Sequence, residues 1–513
     1  MNRYNIKSVI FIFSALLVLG IGACKEDWDN HYVNNMSPDA KNRLFDFISN
    51  QDNLSIFTQM LTISGYDTII NQSQTYTVWA PDDNALSSFD LGDIDVVKNI
   101  VKNHISRFSI PTTGITERRL KMLSDKKVVF ENISNSYYFG NIPLEESNLI
   151  ASNGIVHVIS GYVPYQPNIW EFIGEKEGLD SLKKYLYSNS IIDIDYEKSE
   201  QIGTNADGQP IYDTIPKERN LILEKIGDLT TEDNVFTTLL LQNDGWIKAY
   251  DSISRFYVSH HPTMAKKIQK DSTQYAIVQN MVYRGLIKDP GSKDSLVSSV
   301  GNVITNPNEL FSNATMEELS NGNAYLADLF KFIPGETYNR EIRLEAEETK
   351  GRSDANAIIY KRVSYGSGLD VSDNQYIYVF SNGSSSLSKT YVDFTIPNNL
   401  SAKYNIYCVF VPPYLADVTN NRKSQVNVSI SYVTSTGSYK KRQNLNVVNN
   451  LTDTLNLTKM LVAENFEFPF CHFGDIDNPD ESVVLRVESI TKKETTELTK
   501  HMFIDCIILE PVE

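Results

Sequence analysis

Between Asp39 and Ile48, and again at Leu54, Phe57 and Leu61, apolar residues recur every three or four positions, the spacing of a helix with one buried stripe. The pattern then shortens. Thr75 to Trp79 is rich in β-branched and aromatic residues, which predicts a strand, and Pro81 ends it because proline has no amide proton for a sheet. Asp82 or Asp83 can accept from the free amides of a helix beginning at Asn84, so the run Thr77 to Leu86 reads as a strand-to-helix corner. Beyond it, Val96 to Ile105 is amphipathic, Thr112 to Arg118 is a polar connection, and Val128 to Tyr138 alternates as short strands do. Asn153-Gly154 predicts a hairpin-type turn before a strand at Ile155 to Ile159, and Pro164 and Pro167 close the stretch.

Much of this texture occurs twice. Thr77-Val-Trp-Ala-Pro-Asp-Asp-Asn-Ala-Leu86 aligns without a gap on Thr237-Thr-Leu-Leu-Leu-Gln-Asn-Asp-Gly-Trp246, an offset of 237 − 77 = 160. The tripeptide Ser152-Asn153-Gly154 returns as Ser320-Asn321-Gly322, an offset of 320 − 152 = 168. A period this long is a duplicated domain rather than a solenoid unit. Leu179, Leu182 and Leu186 match Leu54, Phe57 and Leu61 at 179 − 54 = 125, which leaves 160 − 125 = 35 extra residues in the second repeat. Asn205-Ala-Asp-Gly208, between Ile202 and Ile211, predicts that the insertion is a hairpin turning at Asp207-Gly208. The second repeat has Leu241, Met281 and Tyr325 where the first has Pro81, His104 and His157.

After Pro334-Gly335 the pattern becomes all-β. Ile342 to Ala346, Tyr376 to Phe380, Tyr391 to Ile396, Tyr404 to Val411, Gln425 to Val433, Val483 to Val487 and Met502 to Leu509 are short apolar or alternating runs between turn-forming residues. About eight strands over such a length suggest a jelly roll or related sandwich.

The 513 residues predict about three domains. A net charge of −17 repels phosphate backbones, which excludes nucleic acid as a natural partner. The first residues change the picture further: Arg3 and Lys7 precede a short apolar core from Val9 to Ile21, then Ile21-Gly22-Ala23-Cys24. This is similar to the lipobox of a bacterial lipoprotein, which implies lipidation of Cys24. The acidic run Lys25-Glu26-Asp27-Trp28-Asp29 resembles the surface-export tether of Bacteroidetes lipoproteins and implies display outside the outer membrane. Cys408, Cys471 and Cys506 are an odd set; strand-like apolar neighbours favour buried free thiols over catalysis at Cys408 and Cys506, and an oxidising compartment permits a single bridge between two of the three.

Thr77, Pro81 and Asp82 in the corner, Asn103-His104 in the helix after it, and Asn153-Gly154-Ile155-Val156-His157 together resemble a fasciclin-type domain. The resemblance implies a wedge-shaped β-sandwich with helices along it, and adhesion through protein or carbohydrate contacts. Arg343-Leu-Glu-Ala-Glu347 and Phe503-Ile-Asp-Cys-Ile-Ile-Leu-Glu510 resemble the first and last strands of carbohydrate-binding jelly-roll modules, which lie side by side in that family. The expected fold class is therefore multidomain α+β, two tandem fasciclin-like wedges followed by an all-β jelly-roll-like sandwich. The expected segments are a signal peptide at 1–23, a tether at 24–37, fasciclin-like domains at 38–165 and 166–334, and a galactose-binding-like sandwich at 336–513.

No nucleophile elbow, phosphate loop, zincin helix or Cys-x-x-Cys pair occurs, so an enzymatic reading fails on inventory. His260-His261 points two rings apart in extended chain and makes a poor metal site. His104 and His157 read as packing histidines, and Trp79 and Trp246 as core. Glu345 and Glu347 share one strand face with Asp505 on the neighbouring strand, a set of hard oxygens suited to Ca2+. The resemblance implies a structural calcium there; a solvated acidic face is the alternative. Asp475, Asp477 and Asp480 form a second acidic loop. For sugar stacking the loop aromatics Tyr365, Tyr414 and Phe473 are the candidates, beside Asp373, Asn374 and Asp475. The expected role is adhesion or glycan or protein binding at the outer membrane, accessory to a glycan uptake complex. A structural subunit that docks to another outer-membrane protein without sugar is the alternative.

Overall fold

The computed structural model describes residues 41–382, 389–445, 447–473 and 482–512. The signal segment, Cys24, the acidic tether and the Asp475, Asp477 and Asp480 loop lie outside the described residues. The chain divides into two compact units between Asn168 and Ile169.

In the first unit, the helices Leu44–Ser49, Ser55–Ser64 and Ile94–Asn103 bury Leu44, Phe57, Leu61, Val97 and Val101 against one face of a seven-stranded sheet. The strand Tyr76–Pro81 runs parallel to Gly154–Ile159 at the centre and antiparallel to Ile105–Arg107. A meander of Glu117–Lys121, Lys127–Ile133, Ser136–Phe139 and Ile142–Ala151 completes the sheet and encloses a smaller core around Trp79, Phe130 and Phe139.

The second unit begins with the same device. Phe236–Leu241 runs parallel to Gly322–Ala327 and antiparallel to Val282–Arg284, with Thr315–Leu319 outside, a sheet of four strands. The pairing Tyr76↔Gly154 becomes Phe236↔Gly322, as the two sequence offsets require. The extra residues of this repeat form two successive ladders, Ser190–Ile194 with Pro216–Asn220 and Gln201–Thr204 with Pro210–Tyr212, turning at Asp207-Gly208.

The remainder is a sandwich of two antiparallel sheets. One has the order Ala357–Val363, Gln375–Ser381, Met502–Pro511, Lys403–Phe410, Thr458–Glu467, with Ile342–Glu345 also on Met502–Pro511. The other has the order Arg352–Ala355, Thr390–Thr395, Val484–Ser489, Val426–Val433, Tyr439–Leu445. Their inner faces interdigitate through Ile377, Val392, Ile406, Val428, Leu485 and Ile504. Pro334-Gly335 lies in a short 3-10 turn between the last strand of the repeat and the first of the sandwich, which cluster together in the second unit. Leu400 joins the repeat's core, Ser401 N donates to Phe256 O at 2.8 Å, and Tyr257 stacks on Phe473 with centroids 6.0 Å apart.

Candidate functional site

The motif residues of the first repeat hold the chain path. Asp82 caps the helix Asp83–Leu86 by accepting from Ala85 N at 2.7 Å, while Asp83 reaches back to Ile56 N at 2.8 Å and thereby starts the helix before the strand. Thr77 Oγ1 donates to Phe108 O and accepts from Ile110 N, and Pro81 ends the buried strand. Asn153 accepts from Leu44 N and donates to Ile70 O and Gln72 O, tying three segments together. The expected turn at Asn153-Gly154 lies one residue earlier, at Ser152-Asn153. Gly154 is a strand residue whose Cβ would sit 2.1 Å from Tyr76 O; close approach of two backbones, not turn geometry, demands glycine there.

Both histidines are buried and neutral. His104 Nδ1 lies 2.8 Å from Ile100 O while its Nε2 accepts from Val163 N; His157 Nε2 lies 3.0 Å from Ile110 O while its Nδ1 accepts from Asn148 N. Burial lowers each to about 4 against the opposing effect of the carbonyl bond. With both ring nitrogens engaged by backbone, neither is available to a ligand.

The sandwich gathers a different set. Antiparallel pairing of Ile342–Glu345 with the last strand places Glu345 opposite Cys506, beside Asp505. Glu345 lies with Asp505 and Cys506 in one group, and with Glu347 and Asp373 in another, the ligand atoms of each group within 4.8 Å of one another. Asp373 is carried in by a left-handed turn (φ 47) that sequence periodicity does not reveal. Ser372 steadies the set, its hydroxyl donating to Glu345 Oε1 at 2.7 Å and its amide to Asp505 Oδ1 at 3.1 Å. Burial first, and then the charges of Glu345 and Glu347, push Asp505 up to about 7, with the Ser372 amide opposing. Glu345 is raised for the same first reason. The Oε2 atoms of Glu345 and Glu347 are buried without a hydrogen-bond partner among the described residues. Buried carboxylate oxygens with unused lone pairs fit a hard divalent cation. The Cys506 thiol is not a ligand for such an ion, and burial holds its pKa high.

The sugar candidates separate. Tyr365 is 74% exposed and Tyr414 is half-buried in the short turn Pro413–Leu415. Phe473 is not an open platform: it packs against the core of the second repeat, because the sandwich and that repeat share a seam. The aromatic surface lies instead on the sheet. Ile377 and Val379 face the core, so Tyr376, Tyr378 and Phe380 face outward. Register sets Tyr360 beside Tyr378 and Tyr378 beside Phe503. Tyr378 stacks on Phe503 at 4.8 Å and Phe380 on His501 at 4.5 Å, while the Arg362 guanidinium lies 5.3 Å from the Tyr360 centroid. Val371 and Val411 pack with Tyr376 and Phe503, which are buried, but Tyr360 and Phe380 remain 41% and 37% exposed. The signal was in the sequence: aromatics at 376, 378 and 380 alternate, which puts all three on one face.

Residues 52–163 match the family model of the Fasciclin domain. Over 125 residues the chain is 25% identical to the transforming growth factor-beta-induced protein ig-h3 of Sus scrofa, 23% of this chain and 18% of that protein. The same figures hold for the Oryctolagus cuniculus protein of that name. The chain therefore covers less than a fifth of the length of these relatives. Among solved structures, a FAS1 domain pair from the insect cell adhesion molecule Fasciclin I matches 55% of this chain and 98% of its own at 13% identity, TM-score 0.22. The CBM22-1 xylan-binding domain of Paenibacillus barcinonensis Xyn10C matches 34% of this chain and 93% of its own at 9% identity, TM-score 0.22.

Proposed function

We propose that this is a non-enzymatic binding protein of the cell surface, whose sandwich takes a neutral glycan on its aromatic sheet face. The observation that carries the reading is the set Tyr360, Tyr378 and Phe380, rings on adjacent strands of which Tyr360 and Phe380 are exposed and Tyr378 is half-buried between them and Phe503. Such rings stack on the apolar faces of pyranose units, and rings fixed in a sheet lose little entropy on binding. The neighbouring carboxylates do not suit hydrolysis: Asp505 is 2% exposed and Glu347 6%, beneath the surface a glycosidic bond would have to reach. They suit a structural calcium held by Glu345, Glu347 and Asp373, with Asp505 beside Glu345, which would neutralise the buried charge and fix the turn that carries Asp373. The fasciclin domain is the adhesive or spacing module, the Cys24 lipid the anchor, and an outer-membrane glycan uptake system the setting.

Titration of the full chain with xylan and β-glucan oligosaccharides tests the platform. Tyr360→Ala and Phe380→Ala should each weaken binding about threefold to tenfold, the value of one aromatic contact. If the full chain binds no neutral glycan but captures an outer-membrane protein in stoichiometric amount, it is a docking subunit and the sugar reading falls. Calcium should raise the unfolding temperature of the parent and not of Asp505→Asn. Loss of radiolabelled lipid in Cys24→Ser is the outcome that anchoring requires.

A further inference from the structure

The first unit holds an open cavity of about 470 Å3 where the two ends of its sheet meet, between Ile105–Arg107 and Glu117–Lys121. In a chain of net charge −17, its rim is basic: Arg107, Arg118, Arg119 and Lys121. One carboxylate lines it, Asp125, and that group pairs with Lys121 at 3.0 Å. No ion pair engages Arg107, Arg118 or Arg119 among the described residues. Buried Leu120 and Met122 contribute apolar floor.

Phe108 stands at the mouth, 74% exposed and at φ 72, a left-handed conformation that a bulky side chain rarely adopts. Its backbone is clamped, the amide donating to Thr75 O at 2.9 Å and the carbonyl accepting from Thr77 Oγ1 at 2.8 Å. The second repeat makes the same clamp, Gly285 N to Val235 O at 2.7 Å and Thr237 Oγ1 to Gly285 O at 2.9 Å, around a glycine at φ 85. Glycine is what this backbone asks for. The first repeat sets a phenyl ring there and buries little of it, so the fold gains nothing from the ring that would explain it. Strain kept at an exposed aromatic beside unpaired guanidinium groups is the mark of a binding site.

We propose that this cavity binds a short stretch of acidic polysaccharide, two or three sugar units bearing carboxylates. Arginine forks recognise carboxylates bidentately, and the Phe108 ring offers a face for a pyranose. An acidic peptide added as an extra strand would need a free edge to run along. Here the two edges converge on the Ser106↔Met122 bridge, with Ser106 Oγ donating to Lys121 O at 2.8 Å and Leu123 N to Ile105 O at 2.8 Å, so the opening is a blind wedge.

The site shares no residue with the sandwich platform, and the two fail separately. Calorimetric titration of the full chain with tetragalacturonate, xylotetraose and hexaglutamate at 50 and 200 mM salt is the test. Tetragalacturonate should bind, more weakly at the higher salt. Arg118→Gln with Arg119→Gln should cost tenfold or more, and Phe108→Gly severalfold with an unchanged or higher unfolding temperature. Tyr360→Ala should leave uronate binding untouched. The proposal is overturned if tetragalacturonate does not bind, if these variants bind it as the parent does, or if hexaglutamate binds equally well.

Discussion

In the first repeat Asn153 ties Leu44, Ile70 and Gln72 to the central strand pair; in the second, Asn321 ties Ile169, Leu229 and Thr231 in the same way. Asp83 accepts from Ile56 N, and Asn243 from Ser181 N. These bonds join side chain to backbone, and they recur because the chain path depends on them. What they surround does not recur. Leu241 replaces Pro81, yet Gln242 N still donates to Ala327 O at 2.9 Å as Asp82 N does to Ile159 O at 3.0 Å, so the corner does not need its proline. Met281 and Tyr325 replace the two buried histidines, and Gly285 replaces Phe108. Duplication has kept the frame and released the residues that titrate or face solvent.

The glycines of the strand pair test the shared frame most severely. A Cβ at Gly154 would meet Tyr76 O at 2.1 Å, and one at Gly322 would meet Phe236 O at 1.8 Å from φ 143. Parallel strands cannot separate at one residue without breaking the ladder on both sides. Gly154→Ala and Gly322→Ala should each cost about 3–5 kcal/mol, at the upper end for single substitutions. Denaturant titration of the full chain, followed by limited proteolysis to see which unit opens, checks it. Equal tolerance of alanine at either position would mean that the two strand pairs are not held as closely as their register indicates.

Acid should separate the repeats. His104 and His157 stay neutral in the folded chain down to about pH 4, whereas in the unfolded chain they take a proton near 6.5. Above pH 6.5 neither state is protonated and the histidines have no effect. As pH falls from 6.5 to 4 the unfolded state binds the protons and the folded one does not, so stability is lost, up to about 3 kcal/mol per histidine. Met281 and Tyr325 carry no such loss. Calorimetry between pH 7 and 4.5 should show the transition of the first unit falling faster than that of the second. The double variant His104→Met with His157→Tyr, which writes the second repeat's choices into the first, should flatten that slope. A slope unchanged by the double variant would remove the histidines from the account.

The repeat itself was legible because two offsets fix two strands, and their pairing follows. Apolar strands of the sandwich were legible for the same reason of pattern. Arg352–Ala355 and Tyr439–Leu445 were not: both are sheet-edge strands, and Tyr-Lys-Lys-Arg-Gln-Asn-Leu has no apolar alternation because its outer face meets water. Thr458–Glu467 was hidden by the register shifts of its pairing with Lys403–Phe410, which break strict alternation. Glu345 and Asp505 could be brought together from strand pairing alone, whereas Asp373 required a positive-φ turn. Phe473 misled because exposure of a loop aromatic depends on what else packs there, and the seam with Tyr257 is a tertiary fact. Arg107, Arg118 and Arg119 follow no spacing that marks a site, and only the meeting of the sheet's two ends brings them round Phe108.

The smallest difference between the repeats is at the corner itself. Asp82 caps the helix Asp83–Leu86 through its own carboxylate, while Gln242, at the same place before Asn243–Ile253, makes no cap bond and donates instead to Asp328 Oδ1 at 2.9 Å. Backbone geometry at the two caps is nearly the same, φ −70 and ψ 167 against φ −71 and ψ 166, so the second corner is already shaped for a capping carboxylate. Asp82→Ala should therefore cost about 1 kcal/mol in the first unit. Gln242→Asp should give the second helix a cap it lacks, and place a negative charge at its positive end. The gain should be about 0.5 kcal/mol rather than the full value of a cap, because the introduced carboxylate would face Asp328 in place of the amide that now bonds to it. Matched thermal melts of the two variants measure both. A loss at Gln242→Asp as large as that at Asp82→Ala would mean that the bond to Asp328, and not the helix start, is what the second corner keeps.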